Sequence, residues 1–153
     1  MLSRQTVLRT ALAASFVTLA LAGCGQMRPS QKMQIFETSL SPTQEVPPAT
    51  ASSASGAAEV QFNENSNKLT WKVTYSGLTG PATGAHIHGP APVGQNAPVV
   101  IPFTGDLNAQ PIMGETTITP AQYADLAAGL YYVNIHSARF PGGEIRGQLR
   151  KRM

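Results

Sequence analysis

The stretch Leu69-Thr70-Trp71-Lys72-Val73-Thr74-Tyr75 decides the fold class. Apolar and polar residues alternate strictly along it, which is the period of a strand with one buried face. Just upstream, Val60 and Phe62 alternate with polar neighbours in Glu59-Val60-Gln61-Phe62-Asn63. The link between the two runs, Glu64-Asn65-Ser66-Asn67, is turn chemistry, so the pair reads as a β-hairpin. Trp71 is the sole tryptophan and is expected to anchor the core between two sheets. Outward from this hairpin, the spacing predicts further short strands at residues 84–88, 98–103, 115–119, 130–136 and 144–149, each bounded by Gly, Pro or Asn clusters. Residues 42–56 are rich in Pro, Ser, Thr and Ala and read as a surface loop crossing between sheets. One helix is expected over residues 119–128, with Thr119 as N-cap, Pro120 at the first helical position and Gly129 as the stop. The last hairpin turns at Phe140-Pro141-Gly142-Gly143. About seven strands, one short helix and long crossing loops make an all-β, Greek-key β-sandwich.

The N-terminus has a different character. Arg4 and Arg9 precede an uncharged run over residues 10–23, too short for a comfortable bilayer span of about 20 residues. It has the size and flanks of a signal-peptide core, and it ends in Leu21-Ala22-Gly23-Cys24, the pattern cut before a lipidated cysteine. Cys24 is the only cysteine, so no disulfide can form within the chain. The expected organisation is a lipoprotein signal peptide at 1–23, a lipidated tether at 24–32, one domain at 33–150 and a solvated basic tail at 151–153. Gly25, in place of Asp after the cysteine, points to the outer membrane. The protein is therefore expected to be exported and anchored in the cell envelope by lipid.

Removing the signal leaves nine Lys and Arg against eight Asp and Glu, so the mature chain is near neutral. Neither charge nor aromatic patterning suggests a nucleic-acid partner. There is no Gly-x-Ser-x-Gly, no phosphate-binding glycine loop and no Ser/His/Asp arrangement, so no catalytic residues are assigned and enzymatic activity is not expected from any such motif.

Three histidines carry the chemical signal. His86 and His88 lie two apart in Gly84-Ala85-His86-Ile87-His88-Gly89, so on a strand both rings project from one face while Ile87 enters the core. His136 ends Tyr131-Tyr132-Val133-Asn134-Ile135-His136 and shares a face with Tyr132 and Asn134. Were the two strands neighbours, the three imidazoles would meet, a donor set that suits Zn(II), Cu(I) and Cu(II) without deciding between them; a site outside the cytoplasm favours copper, with zinc second. Additional ligands or supporting partners are sought in Glu144, Tyr132, Asn134 and Met113. The competing reading has the histidines hydrogen-bonding loop backbone, for example across residues 89–94. Glu144 and Arg146 also lie two apart and read as a cross-strand salt bridge at a sheet edge. A metal-independent module binding an envelope protein or a glycan is the alternative function, and a homodimer sharing a metal is a further expectation.

Several motifs in order resemble the CHRD (chordin) domain: Gln44-Glu45-Val46-Pro47-Pro48, the segment 84–91, Val99-Val100-Ile101-Pro102-Phe103, the segment 129–136 and the segment 141–149. The resemblance runs from about Met33 to Arg150. It implies an extracytoplasmic β-sandwich module in which the His-x-His strand and the later histidine belong to the pattern. The arrangement is also distantly similar to Cu,Zn superoxide dismutase, an immunoglobulin-like Greek-key sandwich. This chain has too few histidines for that enzyme's two metals, lacks an internal disulfide and shows no zinc loop, so dismutase activity is not implied.

Overall fold

The computed structural model describes residues 32–153. The signal peptide, Cys24 and the tether up to residue 31 lie outside the described residues. Within them no helix is long and apolar enough to cross a membrane.

Nine strands form two antiparallel sheets. The first runs β6 (Ile112–Thr117), β3 (Lys68–Ser76), β2 (Ser55–Asn63), β1 (Met33–Leu40) and β9 (Arg150–Lys151). The second runs β5 (Val99–Pro102), β4 (Ala82–His88), β7 (Tyr132–Ser137) and β8 (Ile145–Gln148). β6 returns beside β3, and β7 returns beside β4, after excursions through the opposite sheet. Those returns are the long connections of a Greek key. The hairpin anticipated from residues 59–75 is β2–β3, with Val60 opposite Trp71 and Phe62 opposite Leu69. Its turn is closed by the Asn63 side chain, whose Oδ1 accepts from the backbone N–H groups of Asn65 and Ser66, while Asn67 takes a positive φ of 54°.

Residues of period two from both sheets fill the interior: Phe36, Val60, Phe62, Leu69 and Val73 from the first, Ala85, Ile87, Val133, Ile135 and Ile145 from the second. Trp71 bridges them, its indole stacked on Phe103 with ring centroids 4.6 Å apart. Gly114 lies opposite Trp71 on β6, and a Cβ there would run into the indole ring, so the glycine is what lets the ring lie across the strand. Helix α1 (Pro120–Ala127) carries the expected capping box, Thr119 Oγ1 accepting from Gln122 N–H and Gln122 Oε1 from Thr119 N–H. Its Tyr123 stacks on Phe62, and its Leu126 is fully buried.

Three expectations need correction. Residues 42–56 do not cross between sheets, because β1 and β2 are paired neighbours with Leu40 opposite Gly56. The segment instead loops out against the second sheet, where Ser41 bridges Arg146, before returning as β2. The basic C-terminus is not a free tail. Glu37 on β1 pairs with Arg150, and Arg152 joins Glu37 and Glu59 in ion pairs, so the last residues cover β1 backbone groups that would otherwise form a bare edge. Glu144 and Arg146 make no salt bridge. Glu144 precedes β8 and turns to Ser52 and Thr79, whereas Arg146 lies on the outer face of the second sheet.

Candidate metal centre

The outer face of the second sheet is where the histidines meet. β4 and β7 are antiparallel neighbours, with Gly84 opposite His136, His86 opposite Asn134 and His88 opposite Tyr132. Ile87 points inward and is fully buried, as the alternation requires. His86 Nδ1 lies 3.0 Å from His136 Nε2, and one ring nitrogen from each of the three histidines falls within 4.8 Å of the others. Gly84 makes the approach feasible. A Cβ at that position would sit 3.1 Å from His86 Cε1, a tight contact, and 3.5 Å from His136 Cδ2, an ordinary one, so a larger residue would press on the His86 ring.

Two of the rings are oriented by backbone carbonyls. His88 Nδ1 donates to Ala97 O at 3.0 Å, and His136 Nδ1 donates to Pro141 O at 3.0 Å. A proton fixed on Nδ1 leaves Nε2 as a lone pair in the neutral ring. His88 Nε2 is buried and has no hydrogen-bond partner, while His136 Nε2 faces His86. The loop-holding and ligand readings of the histidines are thus not exclusive. One nitrogen holds a loop and the other is left free for the cluster.

All three rings are held below the ordinary imidazole range. Desolvation, then the neighbouring His136 and His88, brings His86 down to about 4. Desolvation also lowers His88, against the bond to Ala97 that raises it, and the charges of His136 and Arg146 add to the lowering. His136 is lowered by desolvation, partly countered by its bond to Pro141. At neutral pH the cluster therefore offers unprotonated nitrogens, the form that binds metal.

The geometry can be tested against an ion. Two nitrogens bound at about 2.0–2.1 Å stand roughly 3.3 Å apart at a tetrahedral angle and roughly 2.9 Å apart at a right angle. The His86–His136 spacing already falls in that range. The other separations, up to 4.8 Å, must close for all three rings to hold one ion, and His86 must turn the proton-bearing nitrogen away or change tautomer. His86 and His136 are half-exposed, so one coordination direction faces solvent.

The four additional candidates do not join the cluster. Tyr132 is buried with its ring parallel to His88, centroids 5.0 Å apart, and its hydroxyl accepts from Ala97 N–H at 3.0 Å. It supports a ligand and is not placed as one. Asn134 turns toward Glu45, donating to Oε2 at 3.4 Å. Glu144 is enclosed by Ser52, Thr79 and Ser137; burial alone would raise its carboxyl, but their hydrogen bonds outweigh this and hold it below the usual range. Met113 is exposed on β6 of the opposite sheet, paired with Lys72, because the chain crosses the sandwich between β5 and β6.

Sequence reasoning missed Glu45 as a site residue and misplaced Arg146. Both are buried where two loops, residues 41–54 and 89–98, fold over the outer face: Glu45 belongs to the first loop, and Arg146 on β8 is capped by the second. Arg146 lies with Cζ 3.5 Å from the centre of the Tyr132 ring and donates to Gln95 O at 2.7 Å and Asn96 Oδ1 at 3.0 Å. Asn96 in turn donates to Val46 O at 2.8 Å, joining the two loops. Glu45 is pushed up to about 7, burial outweighing the attraction of Arg146 and the bond from Asn134. A carboxyl raised on folding contributes stability that is present below its unfolded value near 4.5 and lost as pH rises through about 7. Glu45→Gln is therefore expected to gain stability relative to the native protein between pH 5 and pH 8, read by urea unfolding at both. An equal difference at the two values would contradict the raised carboxyl.

Comparison with known proteins agrees with the fold and the motifs. The CHRD domain profile matches residues 36–149, a span that holds all three histidines and both covering loops. No curated protein and no solved structure matches the chain. With the match covering most of its length, the chain belongs to the CHRD domain family.

Proposed function

We propose that this protein is an envelope-tethered metal-binding module that takes up copper through His86, His88 and His136. One observation carries the reading: three imidazoles converge on one face, and two of them have the outer nitrogen tied to a backbone carbonyl so that Nε2 remains a lone pair. Such tethering is how protein metal sites orient histidine. The donor set contains imidazole alone, which suits copper or zinc, and divalent copper binds a given nitrogen site more tightly than zinc. Zinc is the lesser alternative, held by three histidines with an open fourth position. The tether is the lipid on Cys24, with the protein sorted to the outer membrane, and the function is binding or handling of the ion and not catalysis.

The test is titration of the Cys24→Ser protein with copper and with zinc, beside a variant in which all three histidines are alanine. Removing the thiol matters because it would bind copper by itself. Expected is one tightly bound copper in the first protein and loss of that binding in the second. Absence of binding in the first would return the histidines to loop-holding roles and favour a metal-independent module for an envelope protein or a glycan.

A further inference from the structure

We infer that the site selects monovalent over divalent copper, because Arg146 delivers a buried positive charge to it through the Tyr132–His88 stack. The inference rests on the proposed copper site and specifies the ion it takes. β7 lies between β4 and β8, so His88 and Arg146 reach the Tyr132 ring from opposite sides. The imidazole lies parallel to the phenol, 3° between planes, and the guanidinium is 3.5 Å from the ring centre on the other side. Arg146 is only 2 % exposed, so solvent screens its charge weakly. Its hydrogen bonds go to a carbonyl and an amide oxygen, neither of which cancels that charge.

Nothing anionic offsets this within the donor set. The cluster holds three neutral rings and no carboxylate among the described residues. Glu45 is the acidic group facing Arg146, and burial raises its carboxyl to about 7, so at neutral pH it carries only part of a negative charge. Glu144, the other buried carboxylate on this side, keeps its charge, but its oxygens face Ser52 and Thr79 and it lies outside the histidine cluster. A divalent ion entering this surround meets twice the repulsion felt by a monovalent one. At an effective dielectric of about 20, one unit charge at the range spanned by two stacked rings changes the ratio of the two affinities by about tenfold. A site of three imidazoles without an anionic ligand also leaves the second charge of Cu(II) uncompensated.

The experiment compares affinities for Cu(I), held against bicinchoninate under anaerobic conditions, and for Cu(II), held against a chelator of known affinity. The full chain carrying Cys24→Ser is used throughout. Arg146→Gln is expected to lower the preference for Cu(I) about tenfold, with Arg146→Lys retaining most of it. Glu45→Gln is expected to raise the preference about threefold, by removing the residual negative charge. These opposite signs separate a charge effect from structural damage, which would weaken both ions together. If Arg146→Gln does not fold, Glu45→Gln decides alone. An unchanged ratio in the folded variants overturns the selection by charge while leaving the copper site intact. Failure of both ions to bind the parent protein overturns the site itself.

Discussion

Replacing His88 by alanine is expected to weaken copper binding at least about 100-fold while leaving the sandwich folded. Even supporting partners of a metal ligand are worth about 10–100-fold, and a ligand more. His88 is the most buried of the three rings, and its Nε2 is the only one of the cluster's inward nitrogens that touches no hydrogen-bond partner. Removing the ring costs the bond to Ala97 O and one face of the Tyr132 stack, about 1–2 kcal/mol in all. The loop backbone keeps the Ala97 N–H bond to the Tyr132 hydroxyl. Equilibrium dialysis against a copper chelator measures the affinity, and circular dichroism reports the fold. An affinity unchanged by the substitution would take His88 out of the site.

The largest effect on stability is expected at Trp71. Truncation to alanine should cost about 3–5 kcal/mol, the range for a large aromatic removed from a core. The indole lies between the sheets, stacked on Phe103 and spread over Gly114. Neither neighbour can close the gap: Phe103 is anchored by its N–H bond to Ala85 O, and Gly114 has no side chain to offer. A domain of this size is commonly stable by about 5–15 kcal/mol, so the variant should be marginal at room temperature. Chemical unfolding followed by circular dichroism measures the change. A loss below about 1 kcal/mol would mean that the two sheets are not held together there.

Much of this was legible in the residues. Strict alternation from Leu69 to Tyr75 placed β3 and its inward Trp71, and the same parity put His86 and His88 on one face with Ile87 inside. Thr119, Pro120 and Gly129 marked the helix because caps are local chemistry. β1 was less distinct: Phe36 and Leu40 point inward, but the intervening Thr38 is polar, which breaks the apolar alternation. Two-residue β9 is too short to have a period at all.

The covering loops were harder still. Every residue of β8 is buried, although Arg146 and Gln148 face outward and would ordinarily mark a solvated surface. They are covered because the loop 89–98 lies over them, with Gln148 donating to Ala91 O and Arg146 to Gln95 O. Loop placement of that kind depends on contacts far apart in sequence, which local pattern does not encode. For the same reason Glu45 looked like a loop carboxylate, and Glu144 looked like the partner of Arg146. Glu144 sits in a bend just before β8, where its carboxylate turns to Ser52 and Thr79 and not to Arg146.

X-ray absorption at the copper edge, on the Cu(I)-loaded Cys24→Ser protein, tests the metal centre most directly. Expected is a first shell of three nitrogens at about 2.0 Å with the outer scattering of imidazole rings. The shell should be lost in the variant that carries alanine at His86, His88 and His136. A shell containing sulfur, or one that survives those substitutions, would place the copper elsewhere and contradict a three-histidine site.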